Sequence, residues 1–76
     1  MDRAIIQDHL AQTERHVSQG KEHISRQREI IADLERGGHD SKAARALLVQ
    51  FEEMQALHIA DRDRLLRELS DSFGSP

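Results

Sequence analysis

"GGHDS" (residues 37–41) is the one strong interruption in a chain that otherwise reads as helix. Gly37 suits the left-handed residue that closes a helix. Asp40, or Ser41 in its place, can cap the next helix by accepting a bond from an orphan backbone N–H. Outward from this stretch, both flanks are dominated by Ala, Leu, Gln, Glu, Arg and Lys, and no proline precedes Pro76. Asp2 stands where a cap for the first helix belongs, and "SDSFGSP" (70–76) marks a fraying end. The pattern predicts helix one over about 2–36, a turn at 37–40 and helix two over about 41–70. These form a single domain, 1–72, with a flexible tail at 73–76.

The apolar period agrees. In the first half, steps of four and three link Ile6, Leu10, Thr13, Val17, Gly20, Ile24, Gln27, Ile31 and Leu34. This is a heptad seam with Leu10, Val17, Ile24 and Ile31 in one core position. Thr13, Gly20 and Gln27 weaken the alternate position. In the second half, Leu47 or Leu48, Phe51, Met54, His58, Leu65 and Leu69 form the comparable face. Two long helices joined by so short a connection are antiparallel neighbours. A turn centred near Gly38 then sets Gly20 opposite His58 and Gln27 opposite Phe51. That gives Gly20 a purpose, since a mid-helix glycine costs about 1 kcal/mol relative to alanine.

The expected fold is therefore all-α, an antiparallel two-helix hairpin. Two helices alone do not enclose a core. Helix two carries apolar residues beyond one stripe: Ala43, Leu47, Met54 and Leu57 on one flank, Leu48, Ile59 and Leu66 on another. A face this wide implies more than one neighbouring helix, and the simplest closed arrangement is a homodimeric four-helix bundle.

Composition narrows the class of partner. Of 76 residues, 37% are hydrophobic and 33% charged, with no Cys, Trp or Tyr and only Phe51 and Phe73 as aromatics. A chain this short and polar leans on partners for its stability. The net charge of −3 is spread evenly, six basic against seven acidic residues in 1–36 and five against seven in 37–76. No basic face emerges, so neither nucleic acid nor an anionic membrane is an expected partner. "MDRAIIQDHL" lacks a basic region followed by an apolar core, and "AARALLV" is far short of a span of roughly 20 residues. A cytoplasmic protein is expected, with a second copy of itself as partner and a larger protein beyond that.

Three histidines invite a chemical reading. His9, His16 and His23 recur every seven residues. Two ligands on one helix share an ion at a separation of four, whereas seven places them roughly 10.5 Å apart along the axis. A metal site would therefore need His23 or His16 with His58, or residues from a second copy. One reading is a metal-responsive bundle using His23 and His58. Another is phosphotransfer: "HVSQG" (16–20) has the H-x-x-x-G spacing of histidine phosphotransfer domains, in which an exposed histidine accepts phosphate. In that family a lysine precedes the glycine; here Gln19 does, and Lys21 follows it. The plainer reading is a packing flank. The row continues to Ile30, while the opposite flank (Gln7, Glu14, Lys21, Arg28, Glu35) is wholly polar. The histidine side is thus the less hydrated one and is expected to face another helix.

Nothing else supports catalysis. There is no Gly-rich phosphate loop and no Cys nucleophile, and no serine has a nucleophile-elbow context. No cofactor and no catalytic residue is assigned. The expected role is a noncatalytic interaction or regulatory module.

Taken together, "HVxxGxxHIxxQRxII" (16–31), "GHD" (38–40) and "ALLVQFEEMQALHIADRDRL" (46–65) resemble a group of short helical proteins from rhizobial-type alphaproteobacteria. That group has no assigned activity, so the resemblance carries over no catalytic or binding residues. It implies a bacterial, cytoplasmic origin.

Overall fold

Two helices, α1 (Arg3–Arg36) and α2 (Lys42–Gly74), make up all of the described residues but the first and the turn between them. The structure, a computed structural model, describes residues 2–74, and no strand occurs among them. The helices pack side by side as a hairpin 62 Å long and 14 Å across. No helix among the described residues is long and apolar enough to cross a membrane.

Each end of α1 is closed by chemistry local to the sequence. Asp2 holds an extended backbone conformation and its side chain accepts from the Ala4 N–H at 3.1 Å, satisfying one orphan donor of the first turn. At the other end, Gly38 N–H donates to Glu35 O at 3.1 Å and His39 N–H donates to Leu34 O at 2.8 Å. That nested pair is a Schellman closure, which needs a left-handed residue just past the cap. The left-handed residue is Gly38, with φ of 73°, and not Gly37, which stays right-handed at φ −81°. Asp40 then accepts from the Lys42 N–H at 3.0 Å and starts α2. The expected turn residues are all used, with the glycine roles moved along by one.

α2 runs to Gly74, past the expected end at residue 70. Its last turns are held by the start of α1. The Arg3 guanidinium lies 3.8 Å from the centre of the Phe73 ring and donates to the Ser72 carbonyl at 3.2 Å. A contact of this kind is worth about 0.5–1 kcal/mol at an exposed site. Residues 75 and 76 of the expected tail lie outside the described residues.

The seam of α1 buries Ile6, Val17, Gln27 and Ile31, with Leu10, Thr13, Gly20, Ile24 and Leu34 half-buried. The seam of α2 differs from expectation. Leu65 and Gln55 are buried, and Ala44, Leu48, Phe51, His58, Arg62 and Leu69 are half-buried. Leu47 and Met54, expected in this seam, are exposed at 40% and 55%. The steps from Phe51 to Gln55 to His58 keep the three-and-four rhythm, so the inward position belongs to the glutamine. Met54, one residue earlier, is turned by about 100° onto the flank.

The register also differs. Gly20 faces Gln55, three residues earlier on α2 than the His58 expected there. Gln27 reaches the Ala44 carbonyl and not Phe51. His58 packs on His16 instead, and Phe51 on His23. The physical reason lies in two buried side chains. Gln55 Nε2 donates to Val17 O at 2.8 Å, and Gln27 Nε2 donates to Ala44 O at 2.8 Å. One amide crosses the interface from each helix, and each is bonded to a backbone carbonyl of the other in this alignment.

Candidate functional site

The two flanks of the hairpin are chemically unlike. On one flank, ion pairs bridge the helices: Arg28 to Glu52 at 3.4 Å and Arg45 to Glu35 at 2.5 Å. The same Glu35 oxygen also accepts from the Ser41 hydroxyl at 3.2 Å. Arg45, with a smaller contribution from Ser41, holds the Glu35 carboxyl below the usual carboxylate range despite some desolvation. A trough of about 630 Å³ on this flank is floored by Ile24, Ala32 and Ile59 and edged by Lys21, Arg28 and Glu29.

The other flank carries the histidine row. No ion pair joins the two helices there among the described residues. A groove of about 420 Å³ opens between them instead, lined by His16, Gln19, Gly20 and His23 from α1 and by Phe51, Met54, Gln55 and His58 from α2. None of these side chains is a carboxylate or an ammonium. The His16 and His58 rings lie 5.1 Å apart between centres and are tilted by 52°. His23 stacks on Phe51 at 5.7 Å and 27°. Ring pairs at these separations sit within the usual aromatic contact range of about 4.5–7 Å. Ile30, Leu47, Met54 and Leu57 extend the apolar character along the same flank, and all four are exposed, Leu57 at 70%.

Gly20 belongs to the floor of this groove for a structural reason. A Cβ there would fall on the Gln55 amide, with Gln55 Cδ only 2.7 Å away. The cleared space is therefore filled from within the hairpin. The Gln55 amide thus accounts for Gly20 within the hairpin, without a docking partner at His16. His16 itself is exposed, with its ring against His58. The pairing expected for a metal, His23 with His58, is not the one formed. The histidine beside His58 is His16. Among the described residues no group of three or more His, Asp or Glu side chains is placed to hold an ion.

His39 is exposed and stands apart from the groove, while His9, also exposed, lines an adjoining hollow with His16, His58, Asp61 and Arg64. Sequence reasoning missed Gln55, whose inward position is marked only by its spacing of four from Phe51 and three from His58. Its Oε1 is buried and has no hydrogen-bond partner, which leaves an acceptor at the groove floor.

No protein-family model, curated protein or solved structure matches the chain. The functional reading accordingly rests on the groove and the surface around it.

Proposed function

We propose that the chain is a noncatalytic helical interaction module that self-associates, with the histidine-flanked groove of one hairpin covered by a second copy to form a homodimeric four-helix bundle. The observation that carries this reading is surface area. The chain exposes 5692 Å² at a mass of 8.7 kDa, where a compact monomer of that mass exposes roughly 4,700 Å². The excess, about 1,000 Å², is close to the roughly 800 Å² that each partner contributes to a stable interface. Elongation generates this extra surface, and lateral pairing of two rods removes it.

Two further features support the same reading. Among the described residues no side chain is completely buried, so each hairpin lacks an interior of its own. The uncovered apolar residues Ile30, Leu47, Met54 and Leu57 share the flank without interhelical ion pairs, where the charged side chains nearest the histidines, Asp61 and Arg64, are paired with each other. The histidine row, exposed in a single hairpin, then becomes half-buried in the pair. A larger protein partner would bind the outer faces of the bundle, and a bacterial cytoplasmic setting fits both that arrangement and the absence of cysteine.

Sedimentation equilibrium tests the proposal. The wild type is expected to sediment as a dimer, and Met54→Glu with Leu57→Glu to shift it to monomer with loss of helical signal. A folded monomer at every concentration would overturn it.

A further inference from the structure

We propose that His16 and His58 form half of a tetrahedral site for a divalent cation of the zinc class, completed by the same pair from a second copy seated on the groove. The inference rests on the self-association reading above and adds a ligand to it. Zinc–imidazole bonds of about 2.0–2.1 Å at a tetrahedral angle place two ring centres roughly 5 Å apart. His16 and His58 stand at 5.1 Å, on different helices, with their rings tilted and not stacked flat. Neither ring makes a hydrogen bond to another described residue, so their nitrogens are uncommitted.

The surroundings favour a cation over an anion. No lysine or arginine lines the groove, and in the adjoining hollow on the same two rings the Arg64 guanidinium is paired with Asp61 and Glu68. The groove's buried unpaired polar atom, Gln55 Oε1, is an acceptor. Neutral imidazole suits zinc and nickel better than it suits calcium or magnesium, which take oxygen ligands. One chain supplies two ligands, fewer than the three or four that zinc sites use. The groove is also the face that a second copy covers, and a twofold axis beside it brings two such pairs together. His23 does not join, since it stacks on Phe51 and lies one heptad, roughly 10.5 Å, along the helix from His16.

The test is calorimetric titration of Zn(II) into the untagged, metal-free full chain, with sedimentation run in parallel with and without zinc. The expected result is one zinc per two chains. Affinity should fall at least about tenfold in His16→Ala and in His58→Gln, which keeps the bulk of the ring's neighbourhood, while His39→Ala binds as wild type. Helical signal in the metal-free variants controls for misfolding. A dimer that binds no zinc, or binds one per chain, or binds equally well without His16, overturns the site and leaves the self-association reading intact. A chain that stays monomeric with and without zinc overturns both. Assembly only when zinc is added supports the site and assigns the dimer to the metal.

Discussion

Gln55 on α2 donates its side-chain amide to the carbonyl of Val17 on α1 at 2.8 Å, and its oxygen fills the place a Cβ would take on Gly20. With Gln27 donating the other way to Ala44 O, two buried amides cross the seam in opposite directions. Apolar heptads alone tolerate sliding by a turn, because one Leu or Ile substitutes for the next. A polar group at a core position tolerates no slide, since a buried donor left unpaired costs about 1–3 kcal/mol. Alignment of the hairpin is therefore set by glutamine and glycine, while the aliphatic residues supply the burial.

Gly20→Ala should destabilise the hairpin although alanine is the better helix former. The propensity gain is about 1 kcal/mol. Against it stands displacement of the Gln55 amide, which loses its bond to Val17 and leaves a buried donor unpaired, about 1–3 kcal/mol. A net loss of about 1 kcal/mol is expected in chemical denaturation. The sign should reverse in a background of Gln55→Ala, where the clash with the Gln55 amide is gone and Gly20→Ala stabilises by about 1 kcal/mol. Equal effects in the two backgrounds would show that the contact is not the cause.

Gln55→Leu makes a different demand. It removes an unpartnered buried oxygen and adds apolar burial of similar volume, so the melting temperature should rise. Specificity should fall with it, as for polar core residues that fix coiled-coil register. Amide NMR spectra should then show extra peaks from slipped alignments, or sedimentation a broadened mass distribution. A single sharp state at higher stability would assign register to Gln27 alone.

The hairpin itself was legible because its signals are local. Asp2, the paired glycines and Asp40 act on backbone groups within a few residues, and α1's aliphatic heptad runs without a break. What the sequence concealed depends on comparing alternatives one residue apart. Met54 is the more hydrophobic choice and Gln55 the correct one, because the spacing from Phe51 and to His58 sets direction while hydropathy does not. The sequence left His16 and His23 both open as neighbours of His58, and that alignment selects His16. Phe73 was harder still, since its helical position is held by Arg3 from the far end of the chain.

At the turn, Gly38→Ala should cost about 1–2 kcal/mol, the penalty an L-residue with a Cβ meets at positive φ. Space is not the issue, because nothing lies within 4 Å of the added carbon. Gly38→Asn should recover part of the loss, since asparagine visits the left-handed region more readily. The same change at Gly37 should act otherwise: its backbone is right-handed, but a Cβ there meets the His39 ring at 2.8 Å. Gly37→Ala should be rescued by His39→Ser, whereas Gly38→Ala should not. Thermal melts of Gly37→Ala and Gly38→Ala, each with and without His39→Ser, separate backbone strain from crowding.

Glu35 offers a pH-dependent contribution with a definite sign. The Arg45 guanidinium and the Ser41 hydroxyl stabilise its charged form, so its folded value lies below the one it has in the unfolded chain. A lowered folded value means that the stabilisation is complete above the unfolded value and is lost as pH falls through the folded one. The clasp across the turn should therefore be intact at neutral pH and release only in acid below the usual carboxylate range. The residue is solvent-exposed and the pair is screened, so added salt should weaken the effect. In Arg45→Ala the Glu35 carboxyl should titrate at a higher pH, moving back to the usual carboxylate range. Side-chain carboxyl carbon shifts followed by NMR through the acid range read this directly. An unchanged midpoint in the variant would mean that the ion pair does not form in solution and that the Schellman closure and the Asp40 cap hold the turn alone.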